Sequence, residues 1–201
     1  MNAELFFIYD THCPWSYATT SLVNCISAAF PEMPLNLLHS ARYEGDELIN
    51  QLTLDAIINN SNIRFSSNYI DELSQEKDST LSANLLAWTQ SKSPQLVLPL
   101  INAIQKQHFE QGLALTTESD FADIINEYKI SPPSKVFNNN KLTKDAESIV
   151  HHVFEFQELI NTTAIPALLL AVENQLILLN HNLYLTQPES VIEAINLEIN
   201  K

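Results

Sequence analysis

The run Tyr9-Asp10-Thr11-His12-Cys13-Pro14-Trp15-Ser16-Tyr17 gathers a carboxylate, an imidazole, a thiol and a hydroxyl within a few positions. The thiol of Cys13 is the group that could act as a nucleophile, provided it ionises. A free cysteine titrates near 8.5, whereas cysteines at helix N-termini fall to roughly 3.5–7.5. Two local causes operate there. The aligned peptide dipoles contribute up to ~2 kcal/mol, and the first N–H groups of a helix have no partners of their own. Ser16, three residues on, would add a hydrogen bond to the sulfur. The chain's formal charge of −14 opposes ionisation, but solvent-borne charges fade beyond about 8 Å at physiological salt. The expectation is a Cys13 thiolate with a pKa below about 7.5. His12 has two readings, a protonated helper or a solvated loop side chain. Asp10 either orients the turn or simply ends a strand.

The elements around this segment support the placement of the thiol at a helix start. Leu5 to Tyr9 is short, apolar and aromatic, as in a buried strand. A helix follows from about Pro14 to Phe30, since proline is tolerated at a first helical position. Trp15, Ala18, Leu22, Cys25, Ile26 and Ala29 recur at spacings of three and four and define one apolar stripe. Pro31 and Pro34 end the helix, and Leu35 to Leu38 reads as a second strand. From about Asp46 to Glu158 helical periodicity dominates and strand-like runs are scarce. Thr117 and Asp120 form a weak capping box, Ser131-Pro132-Pro133 breaks the pattern, and Ile149 to Ile160 resumes it. Ala167 to Val172 and Leu176 to Leu179, separated by Glu173-Asn174-Gln175, predict a hairpin. Thr186-Gln187-Pro188-Glu189 predicts the cap of a last helix carrying Val191, Ile192, Ile195 and Ile199 on one face. The order implies an α/β protein whose sheet is split by a helical insertion.

Cys25 lies on the apolar stripe and reads as a small buried hydrophobe. It cannot bridge to Cys13, because twelve helical residues rise about 18 Å and bridged Cα atoms lie at most about 7 Å apart. Cys13 therefore works alone or with a thiol from outside the chain. His151, His152, Glu155 and Glu158 are weak metal candidates on one solvated helix face. Two glycines in 201 residues exclude glycine-rich phosphate loops. The negative charge argues against nucleic acid and anionic membrane surfaces. The sequons Asn59-Asn60-Ser61 and Asn161-Thr162-Thr163 read as chance matches. No basic leader and apolar stretch open the chain, which makes the expected location cytoplasmic, where thiols stay reduced.

Asp10, Cys13, Pro14, Trp15 and Tyr17 resemble the active-site turn of the DsbA family within the thioredoxin superfamily, usually Asp-Pro-x-Cys-Pro-Trp-Cys-Tyr. Thr163-Ala164-Ile165-Pro166-Ala167 is similar to that family's Ile- or Val-Pro landmark opening the third strand. The long insertion also fits. The resemblance implies a thioredoxin-like fold with an inserted all-helical domain, residues 1–45 and 160–201 forming the first unit and 46–159 the second. It implies a thiol-disulfide oxidoreductase or disulfide isomerase with Cys13 as nucleophile and Ser16 stabilising its thiolate. His12, Pro14, Trp15, Ile165 and Pro166 would contact substrate, with Pro166 cis and the backbone of Ile165 free to pair with an extended thiol ligand. Two departures stand out. Thr11 replaces a frequent proline, with little expected consequence. Ser16 replaces the resolving cysteine, so exchange would use one thiol, released by glutathione or a thiol-containing protein or peptide. No tightly bound cofactor and no metal are implied, and homodimerisation is left open. The turn is also similar to that of kappa-class glutathione transferases and hydroxychromene-carboxylate isomerases, which place serine where Cys13 stands and activate glutathione instead. A third reading is a non-catalytic binding module. Arg42 and Arg64 could meet a carboxylate of glutathione, though nothing in the sequence places them there.

Overall fold

The computed structural model describes residues 3–138 and 141–200. In chain order the regular elements are β1 (Ala3–Tyr9), α1 (Pro14–Ala29), β2 (Leu35–His39), β3 (Glu44–Glu47), α2 (Gln51–Asn60), α3 (Ser67–Asp71), β4 (Lys77–Asp78), α4 (Thr80–Lys92), α5 (Val97–Gln105), α6 (Ala122–Tyr128), α7 (Lys144–Ile160), β5 (Ala167–Val172), β6 (Gln175–Leu179) and α8 (Ser190–Ile199). The main sheet has the order β2-β1-β5-β6. β1 runs parallel to β2 and antiparallel to β5, and β6 closes the predicted hairpin on β5.

Both faces of the sheet are covered at its central strands, which is why β1 from Leu5 onward and β5 read as unbroken apolar runs rather than alternations. Leu5, Phe7 and Tyr9 of β1 and Leu168 and Leu170 of β5 face the larger core, with Val23 and Ile26 of α1 and Val191 and Ile195 of α8. That core continues without a break into Leu81, Leu85, Leu100, Ile101 and Ile104 of α4 and α5. Ile8, Ala167 and Leu169 face the other way, beneath Val153, Ile149 and Phe156 of α7. Phe6 meets Phe156 with ring centroids 4.7 Å apart.

Several local expectations need revision. The buried face of α1 is wider than the apolar stripe: it includes Ser16, Thr19 and Thr20, while Cys25 is only half-buried. The threonines are tolerated inside because Thr19 and Thr20 donate their hydroxyls to the Trp15 and Ser16 carbonyls, both at 2.9 Å. Among the described residues the regular structure of the inserted stretch is helical apart from a small ribbon, in which β4 pairs with β3, that the polar Glu44–Glu47 segment did not announce. The Thr117–Asp120 box is real, but it opens a short 3-10 turn ahead of α6. The Thr186 box is not realised. α8 begins at Ser190 with Glu189 at its cap and no side-chain cap bond.

Phe7 sits at the centre of β1, fully buried and stacked on Tyr9 at 4.9 Å. Phe7→Ala is expected to cost about 3–5 kcal/mol, measured as a lower urea midpoint with an unchanged denaturant slope.

Candidate active site

The site is assembled where β1 ends. Cys13 is the N-cap residue of α1, in extended conformation, and Pro14 occupies the first helical turn. The turn before it is held by one carboxylate. Asp10 accepts from the His12 N–H at 2.8 Å through Oδ1, and from the Arg42 N–H and the Ser79 hydroxyl, each at 2.8 Å, through Oδ2. Its own N–H donates to the Ser16 hydroxyl at 3.2 Å. Asp10 therefore orients the turn, deciding between the two sequence readings.

Behind the turn lies a buried imidazole chain. The Ala41 N–H donates to Nδ1 of His39 at 3.0 Å. The Thr11 N–H also faces Nε2, but at a longer 3.2 Å. Nε2 also lies 3.0 Å from Thr11 Oγ1, which in turn lies 3.2 Å from His12 Nδ1. His12 Nε2 then donates to the Ala114 carbonyl at 3.2 Å. The ring of His12 packs at 4.0 Å on that of His108, which lies on a π-helical turn, Lys106–Glu110, directly after α5. His108 Nδ1 lies 2.8 Å from the Leu113 carbonyl, leaving its buried Nε2 with no partner among the described residues. Burial pushes the pKa of all three histidines down, that of His39 to about 4. His12 is thus neither protonated nor solvated at neutral pH, which corrects both readings of it. Thr11, whose departure from proline promised little, is the bridge of the chain.

The sulfur itself is enclosed. Cys13 is 4 % exposed and belongs to a cluster with Tyr43, Leu54, Tyr69 and Phe109, onto which Trp15, Tyr17, Phe65 and Ile165 pack. Burial raises its pKa, and this outweighs the lowering by the Ser16 hydroxyl and the N–H groups of Ser16 and Trp15. The expected preformed thiolate is therefore corrected: the helix start acts on the sulfur as anticipated, but desolvation by residues distant in sequence is stronger.

The Ile165–Pro166 peptide is cis, and Pro166 is buried. Neither the N–H nor the carbonyl of Ile165 has a hydrogen-bond partner among the described residues. Cys13, Ser16, Trp15 and Ile165 thus meet in one region, with His12 on its inner side. His39, Tyr69, Ser79 and His108 were not singled out from the sequence, and Thr11 was noted there without a functional role. Only Thr11 carried a signal, through its departure from the turn pattern. Arg42 pairs with Glu47 at 3.0 Å on the surface. His151 and Glu155 approach to 3.6 Å on an exposed face, and among the described residues no three His, Cys, Asp or Glu side chains converge on a metal position.

No family model and no curated protein matches the sequence. Solved structures do match. The cytosolic disulfide reductase DsbM from Pseudomonas aeruginosa, in a structure with GSH, is 15% identical at a TM-score of 0.81, covering 98% of this chain and 100% of that chain. A second DsbM structure matches at 15% identity and a TM-score of 0.83, over 98% of each chain. A periplasmic thioredoxin-like protein from Salmonella enterica serovar Typhimurium is 14% identical at 0.56, over 98% of this chain and 84% of its own. The chain has the DsbA-type thioredoxin fold. Within that fold Cys13 occupies the strand-to-helix junction and Ile165–Pro166 the turn entering β5. Among the described residues no helix is long and apolar enough to cross a membrane.

Two measurements follow from this geometry. The pH profile of Cys13 alkylation by iodoacetamide is expected to have its midpoint above the ordinary cysteine value, and Ser16→Ala should raise it further because the serine hydroxyl lowers the pKa. A midpoint below about 7.5 would restore the helix-start argument. For His39, the unfolded chain takes up a proton near 6.5 and the folded chain only near 4. Its contribution is present above the unfolded pKa and is lost as pH falls from 6.5 toward 4, by roughly 3 kcal/mol. Urea midpoints recorded across that window should drop steeply, and less steeply in His39→Gln.

Proposed function

We propose that this protein is a thiol-disulfide oxidoreductase of the DsbA type that works through the single thiol of Cys13, with glutathione as its partner thiol. The observation that carries the reading is the unpaired backbone of Ile165 packed on the cluster that holds the sulfur, in a fold shared with a glutathione-bound disulfide reductase. The Ile165 N–H and carbonyl would pair with the extended backbone of a small thiol ligand, as an edge strand pairs with a peptide. Trp15 and Pro14 would line the approach. Ser16 would hold the sulfur, and His12, with both ring nitrogens engaged, would hold the turn.

The exchange balances without a resolving cysteine. The Cys13 thiolate attacks one sulfur of a disulfide, the S–S bond breaks, and the departing thiolate takes up the proton that Cys13 released. A free glutathione thiolate then attacks the outer sulfur of the mixed disulfide, carries its partner away, and returns Cys13 to the reduced state. Because burial keeps the thiol protonated in this conformation, the rate should rise with pH through the neutral range and beyond. We place this chemistry in the cytoplasm, where reduced glutathione is abundant. We take residues 46–159 as an inserted unit that shields the sulfur.

The burial of Cys13 is the observation that favours a second reading, a non-catalytic binding module built on the same fold. Incubation with glutathione disulfide followed by mass spectrometry separates the two. The exchange reading predicts one glutathione adduct, reversed by free glutathione and absent in Cys13→Ser. An unmodified protein after incubation at alkaline pH would leave the binding module standing.

A further inference from the structure

A cleft of about 510 Å³ opens beside the first turns of α1, lined by Tyr17, Asn62, Arg64, Phe65, Ser66 and Glu110 among others. That volume lies in the range of small-ligand sites. Its chemistry is uneven. A guanidinium and a carboxylate line the same cleft, both exposed, yet among the described residues they do not pair with each other or with any other charge. Arg64 spends one N–H on the carbonyl of its neighbour Ile63 at 3.2 Å, leaving its other donors free. Glu110 is held in place by the Tyr17 hydroxyl, which donates to Oε1 at 2.8 Å, leaving Oε2 open. Tyr17 is itself fixed by stacking on Phe109 at 4.7 Å. Glu110 closes the π-helical turn, a distortion that recurs at functional sites.

The cleft and the thiol are neighbours. The Tyr17 N–H donates to the Cys13 carbonyl at 3.0 Å, so the cleft-lining Tyr17 stands one helical turn, about 6 Å along the axis, from Cys13. Tyr17 and Phe65 pack on the cluster that contains Cys13. A three-residue extended chain spans about 10 Å, enough to run from that sulfur into the cleft.

We infer that this cleft binds the zwitterionic α-amino-acid end of a γ-glutamyl thiol, Arg64 taking its carboxylate and Glu110 its ammonium. The inference rests on the thiol-exchange reading for its choice of ligand and adds to it the subsite that selects the ligand. One end of the molecule supplies the two charges, and the cleft offers their complements unpaired and pre-positioned. In a chain of net charge −14 an anionic ligand needs such a local cation, since the field of the whole protein repels it.

The test is binding of S-methylglutathione, which cannot exchange, measured by calorimetry on the full chain. The parent should bind it, and Arg64→Gln and Glu110→Gln should each weaken binding about fivefold. N-acetylation of the ligand, which removes the ammonium, should weaken binding to the parent and make little difference to Glu110→Gln. Absence of binding by the parent, or an unchanged affinity in either variant, overturns the inference. The exchange reading fails separately, through the missing Cys13 adduct, whatever S-methylglutathione does. Both side chains lie on the surface, and the Glu110→Gln change keeps an oxygen acceptor for the Tyr17 hydroxyl, so circular dichroism should show the variants folded.

Discussion

The carboxylate of Asp10 is the tie on which the arrangement depends. It is fully buried, yet among the described residues no cation neutralises it; His39 Nε2 stands 3.9 Å from Oδ1, and that ring is held neutral by burial. Its charge is instead satisfied by two backbone N–H groups and a hydroxyl, each at 2.8 Å. Bonds of this kind, with one charged partner, contribute roughly 1.5–3 kcal/mol each, and losing them would strand a buried charge. The donors come from the active turn, from the loop after β2 and from the start of α4. One side chain therefore fixes the height of the Cys13 turn against both the sheet and the helical stretch that covers it.

Around that tie, two opposing effects set the state of the sulfur. The helix start and Ser16 favour the thiolate, and the apolar enclosure favours the thiol; the enclosure prevails. The same enclosure holds neighbouring polar groups without partners. Tyr69 Oη and His108 Nε2 are both buried and unsatisfied among the described residues, and the Tyr69 ring meets His108 edge-on at 5.2 Å. A polar interior with open donors and acceptors beside a buried thiol is unusual for a region kept only for packing. It suits a site that accepts a polar guest more than a finished core.

The legibility of the chain followed the range of the interactions involved. β1 and β5 were readable because burial on both faces leaves an apolar run that needs no partner to be recognised, and β2 and β6 because each is short, mostly apolar and bounded by turn residues. The start of α1 was readable because Pro14 and Cys13 act locally. The β3–β4 ribbon was not, because Glu44–Glu47 and Lys77–Asp78 carry no apolar pattern and pair only through distant backbone. The cap of α8 was misplaced because a Thr-x-x-Glu spacing offers a cap without obliging the chain to begin its helix there. Arg64 was one of two arginines noted for a ligand carboxylate but could not be placed, and Glu110 gave no sign, since the loop and the π-turn that bring them to one cleft lie far apart in sequence.

By itself, then, the sequence determined the strand-to-helix junction, the lone thiol, the proline before β5 and the absence of a resolving cysteine, because each is a matter of residue identity and near-neighbour spacing. The tertiary structure alone decided whether that thiol is ionised and what faces it. Desolvation depends on what the rest of the chain lays over an atom, and Tyr43, Tyr69 and Phe109 reach Cys13 from positions that no local pattern connects to it.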